Sequence, residues 1–168
     1  SAIALMIGVS SPVYAQMLEE VVVTAQKRSQ SLQDVPIALS AFNATFLETT
    51  GVQNLGGLEQ FTPGLDIEAL SVTQPTYKIR GIGSGGLSIG TDPAVGIYTD
   101  GIYVGRSASS NVEFSDIERV EVLKGPQGTL FGRNAAAGAI QIITQKPVQE
   151  TEGSVRLRYG NYNKQLGE

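Results

Sequence analysis

The sequence contains no cysteine and no histidine among its 168 residues. Without cysteine, the chain can form neither a disulfide framework nor a thiolate metal site. Without histidine, it lacks the commonest general base and the commonest transition-metal ligand. Its formal net charge is −4 and its 12 lysines and arginines are dispersed, so it carries no basic footprint for nucleic acid. These absences argue against an enzyme and a DNA-binding protein. We expect no catalytic site, no metal site and no cofactor, and a binding or transport role stays open.

What the chain does contain is glycine and proline, with 20 and 7 residues respectively. Such a composition suits short strands joined by many turns better than long helices. A chain of this length ordinarily forms one domain, and the sequence has no internal repeats. We therefore expect a compact module of mixed α and β structure.

The N-terminal end is predicted to be part of a secretory signal. Ala2–Val9 is a short apolar run, and Val13–Ala15 places small residues at the −3 and −1 positions of a signal-peptidase site. The run is too short to span a bilayer as a helix, which needs about 20 residues. Residues 1–15 are therefore expected to be signal peptide, with cleavage leaving Gln16 first. The alternative is an ordinary buried strand or helix.

The next segment, Glu20–Ala25, is predicted to be a strand. Four successive β-branched residues favour an extended backbone, and a polar tract, Gln26–Gln33, follows them. No turn partner is evident nearby, so we expect a strand that pairs with another sheet edge. Strand addition to a partner protein is one known use of such a segment, and a plain core strand is the alternative.

Local signals predict four further elements from Val35 onward. In the hairpin, Asp100-Gly101 supplies the two positive φ angles that a type I′ turn needs. In the first helix, Asn43 is the expected N-cap and Gly51 the expected stop. The predicted elements are a strand at Ile37–Phe42, helices at Ala44–Thr50 and Asn54–Phe61, and a hairpin at Ile97–Val104.

The most specific stretch runs from Asp116 to Pro147. It predicts a strand at Arg119–Leu123, a turn at Gly125–Gly128 and a second strand at Ala139–Thr144 after a run of small residues. This order of elements closely resembles the plug of TonB-dependent outer-membrane receptors. Other parts of the chain resemble the same family: Ile79-Arg80-Gly81, Val95–Val104, and Glu20–Ala25, which is similar to the family's TonB box.

The resemblance implies an α+β fold, a small mixed sheet with short helices and loops, over residues 35–150. It implies a TonB box and flexible linker at residues 16–34. Residues 151–168 would begin a transmembrane β-barrel that is otherwise missing. Val155–Tyr159 would be its first strand, with apolar and basic residues alternating. The alternative for this strand is the amphipathic edge of a soluble domain.

The implied function is energy-dependent uptake of a scarce solute, most simply an iron–siderophore complex, at the cell outer membrane. The implied partners are TonB with its inner-membrane energising complex, the solute, and the outer membrane through the barrel. Nucleic acid is not among them. Two alternatives stay open: a barrel-less periplasmic module acting in signalling, and a receptor of the same family for vitamin B12 or carbohydrate.

The resemblance also assigns residues. TonB would bind Glu20, Val21, Val22, Val23, Thr24 and Ala25. Candidate latches between plug and barrel are Arg80, Arg119, Glu121 and Arg133, with an ordinary ion pair inside the plug as the alternative. The turn motifs are Gly81, Asp100, Gly101, Gly125, Pro126, Gly128 and Gly132. A ligand-facing loop is expected at Ile82, Gly83, Ser84, Gly85 and Gly86.

The glycines at 81–86 also satisfy the dinucleotide-binding pattern G-x-G-x-x-G. That pattern must open a helix, because the helix N-terminus binds the pyrophosphate. Leu87–Pro93 is a poor helix, broken by Gly90 and Pro93. We therefore interpret these glycines as a flexible loop.

Overall fold

The computed structural model describes residues 21–25, 27–69, 75–84, 92–105, 114, 116–148, 153, 157–160 and 164–167. The expected signal peptide at residues 1–15 lies outside the described residues. So do three of the expected site residues, Glu20, Gly85 and Gly86.

The described residues form short strands and two short α-helices. The strands are β1 Val22–Val23, β2 Gln30–Ser31, β3 Ala38–Asn43, β4 Leu65–Ala69, β5 Pro75–Ile79, β6 Ile82–Gly83, β7 Val95–Thr99, β8 Ile102–Tyr103, β9 Ile117–Lys124, β10 Gly138–Thr144, β11 Leu157–Gly160 and β12 Lys164–Gly167. The helices are α1 Ala44–Thr50 and α2 Gly128–Phe131, with 3-10 turns at Leu32–Asp34 and Leu55–Phe61.

The largest sheet has five strands in the order β3-β9-β10-β7-β8. β9 pairs antiparallel with both β3 and β10, and β10 pairs parallel with β7. The two strands predicted at 119–123 and 139–144 are confirmed as β9 and β10, near the middle of this sheet. The strand predicted at 37–42 is confirmed as the edge strand β3.

The two faces of β9 differ, because side chains alternate along a strand. Val120 and Val122 point into the main core, which lies on the side of α1 and the 3-10 turn at Leu55–Phe61. Arg119, Glu121 and Leu123 belong to the opposite face. The main core holds Phe42, Leu47, Val52, Leu55, Leu58, Leu65, Tyr77, Ile79, Val95, Ile97, Ile117, Val120, Val122, Ala137, Ile140 and Ile142.

The helix predicted at 44–50 is confirmed with both of its ends. The Asn43 side chain accepts a hydrogen bond from the Phe46 N–H at 2.9 Å, as an N-cap does. Gly51 ends the helix with φ at 71°, a left-handed conformation that glycine adopts freely. Leu47 is the buried residue that fixes α1 on the main core.

The second predicted helix forms as a 3-10 helix over Leu55–Phe61. Residues three apart lie one above another in a 3-10 helix, so Leu55 and Leu58 share one buried face. Phe61 is 37% exposed and contacts Phe46 edge-on, with ring centroids 5.2 Å apart. The apolar spacing of three residues thus predicts a helix correctly, and the structure shows that this helix is of the 3-10 type.

The hairpin predicted at 97–104 is confirmed as β7–β8. Asp100 and Gly101 have φ angles of 49° and 81°, as the type I′ turn requires. The Asp100 carboxylate also accepts hydrogen bonds from the Thr144 N–H and hydroxyl, each at 2.9 Å. The turn is thereby tied to the end of β10.

A smaller antiparallel sheet contains β4, β5 and β6. Arg80 and Gly81, with φ angles of 55° and 75°, form the turn between β5 and β6. Ile82 and Gly83 were expected in a loop and instead form β6. Gly83 therefore follows a hairpin turn rather than opening a helix, which agrees with rejecting the dinucleotide pattern.

The C-terminal strands β11 and β12 pair antiparallel with each other. β11 covers the second half of the strand expected at 155–159, whose first residues lie outside the described ranges. Its assignment to a barrel stays a prediction. Across the described part of the chain, no helix is both long and apolar enough to cross a membrane.

Candidate partner-binding strand and its docking site

The box segment, Val21–Ala25, is paired within the chain. β1 and β2 are antiparallel, with Val22 opposite Ser31 and Val23 opposite Gln30. The Leu32 N–H also donates to the Val21 carbonyl at 2.9 Å. The expectation that this strand has no nearby partner was therefore wrong. The partner comes from the polar tract, and the connection has no Asn-Gly or Asp-Gly pair that would signal a hairpin.

One face of the box segment is fully buried. Val23 and Ala25 are 0% exposed, whereas Val22 between them is 47% exposed. Ala25 packs in a small core on the face of the five-stranded sheet opposite α1. This small core contains Ala25, Tyr98, Leu123 and Ala139, with Ile37, Leu39 and Phe131 packed against it.

Lys27, just after the box segment, contacts Phe131 of α2. The Lys27 ammonium lies 5.9 Å from the centre of the Phe131 ring, within cation–π range. Tyr98 also contacts Phe131: the ring centroids lie 4.9 Å apart, and the Tyr98 hydroxyl donates to the Phe131 carbonyl at 2.8 Å. Burial raises the pKa of Tyr98, and the nearby Tyr103 raises it further. The small core therefore joins the N-terminal hairpin to the turn that carries α2.

The strongest polar contact of the box segment is made by Glu121. This side chain is completely buried, and its Oε1 accepts hydrogen bonds from the Thr24 N–H at 2.8 Å and the Thr24 hydroxyl at 3.2 Å. A carboxylate that accepts from a backbone N–H forms a charge-assisted hydrogen bond, about twice as strong as a neutral one. Glu121, a candidate plug–barrel latch by resemblance, is thus turned toward the box segment.

Arg119 supports this contact from the same face of β9. Its Nε donates to Glu121 Oε1 at 2.8 Å, and one terminal nitrogen lies 3.1 Å from the Thr24 hydroxyl. Its other terminal nitrogen pairs with Glu118. The Arg119 side chain is only 11% exposed and its guanidinium is already paired inside the chain, which is the alternative stated for this residue above.

Two buried oxygens beside this network lack hydrogen-bond partners among the described residues. They are Oε2 of Glu121 and Oε1 of Gln141, and Gln141 lies directly across from Glu121 in β10. A buried acceptor without a partner costs roughly 1–3 kcal/mol. The docking of the box segment therefore rests on strong but incomplete hydrogen bonding.

The other two candidate arginines are exposed. Arg80 and Arg133 make no ion pair within the ranges that the structure covers. Lys124, which was not among the predicted site residues, lies close enough to Arg80 for the two positive charges to repel each other. Burial lowers the pKa of Lys124, and the neighbouring Arg80 lowers it further. Two cations thus lie together at the ends of β5 and β9 with no described carboxylate on them.

The remaining predicted residues occupy turns and exposed positions. Gly125 and Gly132 have φ angles of 111° and 77°, Pro126 is exposed, and Gly128 begins α2. Ile82 is 59% exposed, and the Ser84 hydroxyl donates to the Asp92 carbonyl at 2.6 Å. The part of the chain described here contains no group of three or more acidic side chains placed to hold a metal ion.

Comparison with known proteins matches this architecture to one family. Residues 31–139 match the family described as "TonB-dependent Receptor Plug Domain". The pesticin receptor of Yersinia pestis is 35% identical over 136 residues, covering 80% of this chain and 20% of the receptor. A vitamin B12 transporter of Vibrio vulnificus is 31% identical over 147 residues, covering 83% of this chain and 23% of the transporter.

Solved structures agree with the sequence comparison. The crystal structure of the ferric yersiniabactin uptake receptor from Yersinia pestis superposes with a TM-score of 0.60 at 33% identity, covering 72% of this chain and 18% of that one. The chain thus spans about a fifth of the length of the curated relatives it matches. The resemblance drawn from its motifs and the α+β plug fold are both confirmed, and the chain belongs to the TonB-dependent receptors, of which it carries the plug domain.

Proposed function

We propose that this chain is the plug of a TonB-dependent outer-membrane transporter that takes up a scarce solute using energy delivered by TonB. In this proposal the solute binds at the outer face, and TonB engages the segment from Glu20 to Ala25 from the periplasm. The plug then rearranges to open a path. Membership of the family supports this assignment, together with the docked strand just before the family match.

The observation that carries the proposal is the form of the box segment. It is a short strand with a buried face, held on the five-stranded sheet by a carboxylate and by a two-residue partner strand. A short segment held in this way can be exchanged for a partner's strand more readily than an internal strand such as β9. Strand addition also requires little of the side-chain sequence, because main-chain hydrogen bonds supply the affinity.

The proposed solute is an iron–siderophore complex. The similar protein of known structure from Yersinia pestis takes up ferric yersiniabactin, which supports this class. Similarity to a vitamin B12 transporter makes a corrinoid the second candidate. The test is uptake of radiolabelled iron from a panel of ferric siderophores, and of labelled cobalamin, by cells with and without the gene. Uptake that persists without a functional TonB would contradict energy coupling.

The alternative is a periplasmic module that signals without forming a pore. Localisation separates the two, because a transporter fractionates with the outer membrane and resists extraction by salt, whereas a module is released with the periplasm. Recovery of the gene product in the periplasmic fraction would overturn the transporter proposal.

A further inference from the structure

The two edges of the box segment are occupied differently. Antiparallel pairing directs the backbone groups of alternate residues to alternate sides. The Val21 carbonyl accepts from Leu32, so Val21 and Val23 direct their backbone groups toward β2. Val22 and Thr24 direct theirs to the opposite edge. Among the described strands none pairs with β1 along that second edge.

On this second edge, the Thr24 N–H is held by Glu121, and the Thr24 carbonyl accepts a hydrogen bond from the Lys27 N–H at 2.8 Å. The carboxylate therefore occupies a backbone donor that an added strand would need. On the first edge, an incoming strand would have to replace the whole pairing with β2. On the edge of Val22 and Thr24 none of the described strands has to be displaced, only the Glu121 carboxylate and the Lys27 N–H that bond to Thr24. This is therefore the edge open to a partner.

We propose that Glu121 blocks the partner-binding edge of the box segment, and that TonB adds its strand along Val22 and Thr24 by displacing the Glu121 carboxylate from the Thr24 N–H. The proposal rests on the proposed function and deepens it, because it names the group that controls access to the same strand. Arg119 is a positioning residue, since it fixes the carboxylate through its Nε hydrogen bond. An inward-facing charge that protects a strand edge is a known way to prevent unwanted pairing.

Displacement is helped by the incomplete docking. Oε2 of Glu121 has no partner among the described residues while the segment is docked, and water can hydrate it once the segment leaves. The guanidinium of Arg119 keeps its second pairing with Glu118 on the same strand. Only small side chains leave the protein interior, namely Ala25 and Val23. The hydrogen bonds therefore fix the position of the docked box segment, and the segment can still dissociate from the sheet.

The experiment measures binding of the periplasmic domain of TonB to the complete outer-membrane protein that carries this chain, purified in detergent without solute. Calorimetry compares the parent with Glu121→Gln, which keeps the shape but removes the charge, and with Glu121→Leu, which removes the acceptor. Glu118→Gln is the matched control, because this carboxylate also pairs with Arg119 but is 44% exposed and has no hydrogen bond to Thr24.

We expect Glu121→Gln to tighten TonB binding about tenfold. This is the affinity change expected when the buried hydrogen bond to Thr24 loses its charge and becomes a weaker, neutral one. Glu121→Leu should tighten it further, and Glu118→Gln should leave it within about twofold, as an exposed pair predicts. Hydrogen exchange provides the second readout. The Thr24 amide should exchange faster in both Glu121 variants, while the amides of β10 stay as protected as in the parent, which shows that the sheet is folded.

Equal TonB affinity of the parent and both Glu121 variants, with a faster Thr24 amide, would overturn the proposal, since release of the N–H would then not open the edge. An unchanged Thr24 amide would overturn it as well. A synthetic peptide covering Leu18–Arg28 separates this from the proposed function. If the peptide itself does not bind TonB, the recognition segment is wrong, whatever Glu121 does.

Discussion

The carboxylate of Glu121 lies 2.8 Å from the backbone nitrogen of Thr24, although 97 positions separate the two residues in the chain. Glu121 lies on β9, which has a strand on each side, and Thr24 directly follows β1, the first strand described. The contact therefore links the segment proposed to receive force directly to the middle of the sheet. Its strength depends on Arg119, which lies two residues before Glu121 on the same face.

Val22→Pro should weaken binding of the periplasmic domain of TonB by roughly tenfold or more. Proline has no backbone N–H, so position 22 could no longer donate a hydrogen bond to a carbonyl of the added strand. The hydrogen bonds to β2 come from Val21 and Val23 and are left in place. Val22→Thr keeps both the β-branch and the N–H and is the matched control. Calorimetric titration of the two variants is the measurement, and equal affinities would refute pairing along this edge.

A disulfide between positions 22 and 31 should leave TonB binding within about threefold of the reduced protein. Val22 and Ser31 are opposite each other in a non-hydrogen-bonded pair, where the side chains are closest. The chain has no other cysteine, so Val22→Cys with Ser31→Cys forms a single defined link. Loss of binding on oxidation, restored by reductant, would show that TonB uses the edge that β2 now occupies.

Arg80→Ala and Lys124→Ala should both raise channel conductance across a planar bilayer if these two cations pair with carboxylates outside the described residues. Arg80→Lys should act in the same direction more weakly, because lysine keeps the charge but loses the planar fork. Arg119→Ala should instead leave conductance unchanged and tighten TonB binding, since its partners lie inside the chain. A conductance that rises only in Arg119→Ala would show that Arg119, and not Arg80 or Lys124, holds the plug to the barrel. Arg133→Ala, measured in the same way, tests the remaining candidate latch.

Gly96→Ala should destabilise the sheet by about 1–3 kcal/mol, the usual cost of overpacking. A Cβ at this position would lie 2.9 Å from the Asn134 carbonyl oxygen and 2.7 Å from the Tyr98 ring. Gly128→Ala is the control, because a Cβ there has no neighbour within 4 Å and alanine favours the helix that begins at this residue. Hydrogen exchange of the β10 amides reports the difference, and equal protection in the two variants would contradict it.

The isolated chain should bind its solute weakly or not at all. A ligand pocket usually encloses most of a solute's surface, whereas Ile82, in the expected ligand-facing region, is 59% exposed. Calorimetry of the chain against ferric siderophores, beside the complete receptor, is the measurement. Tight one-to-one binding by the chain would show that the plug forms the site by itself.

Local signals predicted the elements that depend on a few adjacent residues. The cap at Asn43, the stop at Gly51 and the turn at Asp100-Gly101 each work through one or two backbone groups, so their residue types are diagnostic. The strands β9 and β10 were predicted from β-branched and small residues for the same reason. The family resemblance supplied the order of the elements and the overall fold.

The docking of the box segment could not be predicted, because it depends on contacts between distant positions. No residue pattern near Glu121 indicates that its carboxylate accepts a hydrogen bond from Thr24 rather than from a group outside the domain. The pairing of Val22 with Ser31 was missed because polar residues carry little strand propensity. The nearness of Lys124 to Arg80 likewise arises only when the ends of β5 and β9 come together.

The position of β3 at the edge of the five-stranded sheet sets the order in which a pull from the N-terminus would take the domain apart. Tension would first separate β1 from β2 and Glu121, and would then reach β3 along the chain. Among the described strands β3 pairs only with β9, so it can be peeled away while β9, β10 and β7 stay together. An extended chain lengthens by roughly 3.3–3.6 Å for each residue released. Mechanical work is thus directed at the rim of the sheet, and the strand bearing Arg119 and Glu121 remains as an anchor to which the segment can return.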